Sequence, residues 1–211
     1  MFENEFIFHA LHNIMQKEAK IAEMIGAIIG DGHISKSGKS IELTGHPIED
    51  RDYLHLIGSF GTQIFGIKFK EYERERALRI IFNSTLMQNY FVEIGLPRGK
   101  KSEIVKIPDA YLKSPYLKNV IRGIFDTDGY LFFDKRKVYV KPYPRLGFHI
   151  KSKKLGEQLK EILDRMGFET YYRITKKRAY VIEIYGHQQL QKWLNTIGSL
   201  NNKHLSKCLS G

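Results

Sequence analysis

Two aspartates stand at corresponding places in two similar stretches of the sequence. Asp31 lies in the run MIGAIIGDG, and Asp128 lies in the run IRGIFDTDG, 97 residues later. If both runs are helices, each carboxylate lies at the negative end of a helix dipole, and two such groups close together raise each other's pKa unless a cation joins them. Oxygen-rich pairs of this kind suit Mg²⁺, and a carboxylate pair with a divalent metal can activate water for phosphodiester hydrolysis.

Small residues precede both aspartates at helical spacing. Gly26 and Gly30 lie four apart in the first run, and Gly123 and Thr127 lie four apart in the second. Residues at this spacing share one helical face and let another backbone approach closely. We therefore expect the two helices to pack together and to bring Asp31 and Asp128 to one place. The alternative for either copy alone is an ordinary Asp-Gly turn with a glycine helix cap, and the duplication favours the functional interpretation.

Other metal or catalytic patterns are weak. An EF-hand at Asp126 fails because glycine falls at the fourth loop position and Leu131 holds the sixth, where glycine is needed. The eight histidines form no HExxH pair, and the single cysteine, Cys208, can form neither an internal disulfide nor a zinc cluster. A basic metabolic enzyme would need a phosphate-binding glycine loop or a nucleophile pattern, and neither is present.

The sequence contains an internal repeat, in which one unit occurs twice. The stretch 24–32 matches 121–129, the stretch 64–66 matches 165–167, and the stretch 77–95 matches 179–198, all in the same order. We predict a first repeat over 1–96 with an N-terminal extension over 1–17, a proline-containing linker over 97–115, and a second repeat over 116–211.

The pattern of each repeat indicates helix, two strands, helix, two strands and helix. The predicted fold class is therefore α+β, with tandem pseudo-symmetric αββαββα repeats. One face of each antiparallel sheet is apolar and covered by helices, and the other is basic. Two such sheets side by side would form a long saddle.

These two runs resemble the two copies of the LAGLIDADG motif in monomeric homing endonucleases, and the predicted element order fits the fold of that family. The similarity extends from about Ile21 to Lys203. Both eighth-position acids are present as Asp31 and Asp128. The first copy departs from the motif at the sixth position, which is Ile29, and the second copy departs at the second position, which is Arg122.

The resemblance implies cleavage of both strands of a long DNA target across the minor groove, with Asp31 and Asp128 binding Mg²⁺ or Mn²⁺. We expect Gly30 and Thr127 to belong to the same metal site. The family commonly places a lysine near the metals. Because Lys100 and Lys203 each follow an Ile-Gly pair by five residues, they are the candidates for this role, with Lys101 as the neighbouring alternative.

The chain carries 34 Lys+Arg against 23 Asp+Glu, a formal net charge of +11, which favours a polyanionic partner. Alternate residues of a strand share a face, and a two-stranded ribbon fits the DNA major groove. Aromatic residues on the same strands are expected mainly in the core. The residues predicted to contact DNA are Lys68, Lys70, Arg74, Arg79, Arg145, Lys151, Arg173, Lys176 and Lys177.

The predicted function is thus that of a metal-dependent, site-specific double-stranded DNA endonuclease. The alternative is a cleavage-inactive nucleic-acid-binding protein on the same scaffold, an intron maturase or a transcriptional regulator. Two motifs in one chain predict a monomer, and the absence of a signal peptide or an apolar run of 18 residues predicts a cytoplasmic, nucleoid-associated protein without a membrane segment. The ends of the sequence, without a splicing nucleophile or a terminal Asn, lead us to expect a freestanding protein linked to intron homing.

Overall fold

The computed structural model of the chain describes the backbone of residues 2–176 and 178–210 and the side chains of residues 15–176 and 178–208. The first half contains the following helices and strands: α1 Phe2–Ile29, β1 Gly32–Ile34, β2 Ser40–Gly45, α2 Arg51–Phe65, β3 Lys70–Arg74, β4 Ala77–Asn83 and α3 Thr85–Glu93. A single 3-10 turn, Asp109–Tyr111, interrupts the stretch between the halves.

The second half repeats this order. Its elements are α4 Leu117–Asp128, β5 Gly129–Asp134, β6 Tyr143–Ile150, α5 Lys153–Arg165, β7 Thr170–Ile174, β8 Tyr180–Tyr185, α6 His187–Thr196 and α7 Asn202–Ser210. Each half forms one four-stranded antiparallel sheet, ordered β1-β2-β4-β3 in the first half and β5-β6-β8-β7 in the second. The predicted α+β class with tandem αββαββα repeats is confirmed.

Alternation along the strands separates the two faces of each sheet. In β4, Leu78, Ile80 and Phe82 are fully buried against the helices, whereas Arg79 between them is exposed. The second half uses Leu146 and Phe148 of β6 in the same way. Each sheet therefore has a dry face under its helices and a wet face on the opposite side.

Helices α1 and α4 pack on each other at two glycines. A Cβ on Gly26 would lie 2.2 Å from the carbonyl oxygen of Val120 and 2.8 Å from the Cα of Gly123. A Cβ on Gly123 would lie 2.4 Å from the carbonyl oxygen of Glu23. Only glycine permits so close a backbone contact, so the helix packing expected from the small residues is observed.

A buried ion pair crosses the same helix interface. Arg122 donates to Glu23 Oε2 from Nε at 2.9 Å, and its terminal nitrogen lies 2.8 Å from that oxygen. The Glu23 side chain is only 1% exposed, and burial raises its pKa to about 7 although Arg122 opposes the shift. Arg122, the second-position departure from the motif, is therefore the partner of an acid in the other repeat.

Two features of the helices differ from the sequence prediction. Helix α1 extends back to Phe2, into the segment 1–17 that the sequence predicts to be an N-terminal extension, and helix α7 follows the predicted last helix. The repeat boundaries at 96 and 116 remain a prediction. No helix in the described part of the chain has the length and apolar character that a membrane span requires.

Replacing Gly123 by Ala should lower the free energy of unfolding by about 2 to 4 kcal/mol, because the added methyl group overlaps backbone atoms of α1 that cannot move aside. Denaturant unfolding followed by circular dichroism measures this change. Glu161→Ala, at an exposed position of α5, is the control and should change stability by less than about 0.5 kcal/mol. A Gly123→Ala protein as stable as the parent would contradict the close helix contact.

Candidate active site

Asp31 and Asp128 lie at the carboxyl ends of the two packed helices. Asp128 is the last residue of α4, and Asp31 follows α1 by two residues. A Cβ on Gly30 would lie 3.5 Å from the Asp128 carboxyl carbon, which shows how closely the two helix ends approach. The Asp31 carbonyl accepts a hydrogen bond from Thr44 N at 3.3 Å, which fixes the turn after α1 against β2.

Asp31 and Asp128 are both exposed residues, yet the protein around their carboxylates raises the pKa of each. Burial raises the pKa of Asp31 to about 6, and the negative charge of Asp128 adds to this shift. Burial also raises the pKa of Asp128. The pair is therefore a place where a cation would be stabilised, which is what the sequence led us to expect.

A lysine covers the end of α1, and it is Lys101 rather than Lys100. Lys101 Nζ donates to the carbonyl oxygens of Ile28 and Ile29, each at 2.5 Å, and to that of Gly30. Burial lowers its pKa to about 8, although Asp128 and Asp31 oppose the shift. Lys100 is exposed and makes none of these contacts. Lys101, and not the predicted Lys100, therefore occupies the position at the end of α1 that corresponds to the position of Lys203 at the end of α4.

Lys203 occupies the corresponding place at the end of α4. Its Nζ lies 3.3 Å from the carbonyl oxygen of Thr127 and 3.0 Å from Asp50 Oδ1. Asp50 also accepts from His46 N at 2.8 Å and from Asn201 Nδ2 at 2.8 Å. Burial would raise the pKa of Asp50, but these hydrogen bonds and the Lys203 charge together lower it.

Asp126, the sixth residue of the second motif, holds the loop that carries Lys203. Its carboxylate accepts from Ser199 Oγ at 2.5 Å and from Leu200 N at 2.7 Å. Asn201 Nδ2 donates to the Asp126 carbonyl at 2.9 Å, and Asn201 Oδ1 accepts from Lys203 N at 3.0 Å. The first copy has the buried Ile29 at this position, so its loop lacks the equivalent carboxylate anchor.

Sequence reasoning missed Asp50 and Asn201 as site residues. Asp50 lies just before α2, and its partners Asn201 and Lys203 are about 150 residues away in the sequence. The available signal was the repeat alignment, which places Asp50 and Ser152 at the same point before corresponding helices.

The two aspartates supply the carboxylates that a divalent metal requires. The carbonyl of Gly30 accepts a hydrogen bond from Lys101, and that of Thr127 lies against Lys203, so a metal at either oxygen would bind its second lone pair. The assignment of Gly30 and Thr127 to the metal site stays a prediction. The Thr127 hydroxyl donates to Gly123 O at 2.8 Å, which directs it into its own helix. No group of three or more His, Cys, Asp or Glu among the described residues could hold a metal. Mg²⁺ commonly takes only one or two carboxylates and completes its shell with water and substrate phosphate, which suits this pair.

The wet face of the first sheet is basic. Cross-strand register pairs Tyr72 with Arg79, Arg74 with Ala77 and Lys70 with Ile81, so Lys70, Arg74 and Arg79 share one face. Arg79 lies 3.4 Å from Glu42 and is half exposed. Lys68 is exposed just before β3.

The wet face of the second sheet is aromatic as well as basic. Tyr171 stacks on Tyr185 with ring centroids 4.6 Å apart, and Arg145 lies over the Tyr185 ring at 4.7 Å. Arg173 pairs with Glu183 at 3.4 Å. Tyr171 is 57% exposed, so the expectation that strand aromatics lie mainly in the core is wrong for this sheet.

The remaining predicted contacts lie around this sheet. Lys151 is exposed at the end of β6 and, with Lys101 and His149, lines a cavity of about 220 Å³ beside Asp128. Lys176 is exposed in the turn after β7. Lys177 lies outside the described residues.

The pKa values of the aspartates give a direct test of their proximity. Asp31 should titrate near pH 6, and Asp128→Asn should lower its pKa because a neighbouring negative charge is removed. Lys203→Met should raise the Asp31 pKa, since the lysine stabilises the ionised form. Carboxyl-carbon NMR of the metal-free protein measures both changes. An Asp31 that titrates at its ordinary value in every variant would contradict the arrangement.

Comparison with known proteins supports the motif and the fold. Residues 115–198 match the family model of the LAGLIDADG-like domain. The replication factor C small subunit of Methanocaldococcus jannaschii is 28% identical over 95% of this chain, and the tRNA-splicing ligase RtcB of Methanopyrus kandleri is 26% identical over 86%. The chain spans only 10% and 21% of the lengths of these relatives.

Solved structures share the fold at low sequence identity. A complex of the homing endonuclease I-DmoI with DNA and Ca has a TM-score of 0.64 at 14% identity, covering 92% of this chain and 99% of that one. The homing endonuclease I-WcaI bound to its DNA recognition sequence has a TM-score of 0.61 at 15% identity, covering 90% and 85%. The N-terminal LAGLIDADG domain of WhiA has a TM-score of 0.58 at 14% identity, covering 86% and 83%. With the motif at the end of both α1 and α4, the chain resembles LAGLIDADG proteins that carry two copies of the motif.

Proposed function

We propose that this chain is a metal-dependent endonuclease that cuts both strands of a specific DNA site. The observation that carries the proposal is the pair of aspartates at the ends of α1 and α4. The pair lies next to the wet faces of both sheets. The Asp31 carbonyl accepts a hydrogen bond from Thr44 N of β2, and Asp128 lines the same cavity as His149 of β6. A DNA backbone lying along both sheets would therefore pass over both carboxylates.

The charges on the sheets support DNA as the substrate. The first sheet presents Lys70, Arg74 and Arg79, and the second presents Arg145 and Arg173. Basic side chains on strands can contact phosphates and base edges in the major groove, and the aspartates between the sheets would then face the minor groove. The similar structures of I-DmoI and I-WcaI in complex with DNA agree with this proposal.

The aspartates would hold Mg²⁺ or Mn²⁺, which when bound supplies a Lewis acid at the phosphodiester and lowers the pKa of a bound water. Lys101 and Lys203 stand beside the aspartates and can contact the scissile phosphates. Because burial lowers the pKa of Lys101 to about 8, this lysine can also exchange a proton near neutral pH. The surrounding hydrogen bonds hold both lysines in place before substrate arrives.

A monomer is the proposed active form, since the two repeats already supply both halves of the site within one chain. A cleavage-inactive DNA-binding protein is the alternative, because the WhiA domain has the same fold and its name does not identify a nuclease. The retained carboxylates favour cleavage, since two close acids repel each other and destabilise the fold unless a cation is bound.

Asp31→Asn or Asp128→Asn should abolish double-strand cleavage while the DNA dissociation constant stays within about threefold, because each change removes a metal-binding charge and keeps the shape of the side chain. The substrate is recovered by incubating the full chain with a pool of randomised duplexes in Mg²⁺ and sequencing the cut ends. Asp109→Asn, which lies in an exposed ion pair with Lys106, is the control and should cut normally. Normal cleavage by either aspartate variant would overturn the assignment, and binding without cleavage by the unmodified chain would establish the alternative.

Affinity for the recovered duplex should fall steeply with salt, by about a thousandfold or more between roughly 50 and 200 mM, as counterions are released from the phosphates. Fluorescence anisotropy measures this dependence. Lys70→Gln should reduce the slope by about one unit, whereas Lys160→Gln, paired with Asp164 on α5, should leave it unchanged. A flat profile would contradict binding along the basic sheet faces.

A further inference from the structure

The lysines of the site lie across the two packed helices. Lys101 covers the end of α1 but lines one cavity with Asp128. Lys203 covers the end of α4 but binds Asp50, which packs on Gly45 beside the Thr44 that donates a hydrogen bond to the Asp31 carbonyl. Each cutting centre therefore contains the aspartate at the end of one helix and the lysine that covers the end of the other helix. We name these the Asp31 centre, with Lys203, and the Asp128 centre, with Lys101.

The two centres differ at one equivalent position. Asp50 and Ser152 each precede the corresponding helices α2 and α5. Asp50 binds Lys203 at 3.0 Å, so the lysine of the Asp31 centre is held by a carboxylate. Ser152 is fully buried, and its hydroxyl donates to the carbonyl of Val105 at 2.6 Å, so it brings no charge to Lys101.

Lys151 adds to the difference. It lies beside Ser152, lines the cavity next to Asp128 and lowers the pKa of Asp128 by its charge. The groups that differ between the two centres are thus the positive Lys151 beside Asp128 and the negative Asp50 beside Asp31. A phosphate approaching the Asp128 centre meets a more positive field.

We propose that Asp50 is a positioning residue that restrains Lys203, makes the two centres unequal and causes the strand at the Asp128 centre to be cut first. This inference rests on the proposed endonuclease function. Lys203 must share its charge between Asp50 and an arriving phosphate, while the hydrogen bonds of Lys101 Nζ go to main-chain carbonyls, which carry no net charge. The Asp31 centre then acts second, on DNA that is already nicked.

The test uses a duplex of the recovered target sequence with a different fluorescent label on each strand, cut by the full chain in Mg²⁺ under single-turnover conditions. The strand that Asp31→Asn fails to cut is assigned to the Asp31 centre, and Asp128→Asn assigns the other. The unmodified chain should cut the Asp128 strand first. Asp50→Asn should speed cleavage of the Asp31 strand by about tenfold, the effect of one unit charge acting over roughly 6 Å, and should leave the Asp128 strand within about twofold.

Two further variants separate charge from folding. Asp50→Glu keeps the charge and should keep the order of cutting. Lys151→Gln changes an exposed side chain and should slow the Asp128 strand alone, by about tenfold, because a positive charge beside that phosphate is lost. Asp52→Asn is the matched control, because Asp52 lies in the first turn of α2 and accepts a hydrogen bond from Asn202 of α7 at 3.0 Å, whereas the ion pair of Lys203 is with Asp50; it should leave the ratio of the two rates unchanged.

The outcomes distinguish this inference from the function on which it rests. Equal slowing of both strands by Asp50→Asn would show a merely structural role and would overturn the inference, as would an unchanged ratio of the two rates in Asp50→Asn. In either case the chain would remain an endonuclease. If the unmodified chain cuts no duplex from the pool in Mg²⁺ or Mn²⁺, the proposed function and this inference both fail.

Discussion

The close backbone contact between α1 and α4 is the constraint on which the rest of the structure depends. At Gly26 and Gly123 the two helices approach to a distance at which no side chain fits. The buried pair of Glu23 and Arg122 then fixes how the helices are aligned. Because both helices end just beyond this contact, the residues that follow them are forced together. Neither half of the chain could assemble the aspartate pair alone.

This arrangement concentrates charge where the fold would otherwise avoid it. Two aspartates meet at the negative ends of two helices, and the raised pKa of Asp31 records the unfavourable energy of that placement. The lysines offset part of it, since Lys101 and Lys203 bind the carbonyls at the helix ends. Asp50 in turn orients Lys203. The site is thus a network of carboxylates and ammonium groups, in which a bound metal would neutralise the aspartates and a phosphate would neutralise the lysines.

Much of the fold could be predicted because the chain repeats itself. Two copies of one pattern gave the element order, the helix contact and the aspartate pair, each supported by the other copy. The lysine was misplaced by one residue because the loop from Gly95 to Lys101 is one residue longer than the loop from Gly198 to Lys203. A comparison by fixed spacing selects Lys100, whereas the contact with the α1 carbonyls selects Lys101.

Contacts between the two halves of the chain could not be predicted from the sequence. Asp50 and Asn201 meet only after the two halves have packed, and no local pattern relates them. The exposed aromatic rings of the second sheet could not be predicted for another reason. Tyr171 and Tyr185 have the same β propensity as core residues, yet they stack on each other on the wet face. Strand periodicity alone does not tell which aromatic face is the dry one.

The central claim is that Asp31 and Asp128 share one site within a single chain, and cross-linking tests it most directly. Asp31→Cys and Asp128→Cys are combined with Cys208→Ser, so that the only two thiols stand at the helix ends. Treatment of the dilute protein with a short bismaleimide, followed by mass spectrometry, should show one reagent joining both cysteines within one chain. Two separately modified cysteines, or links only between chains, would contradict the account.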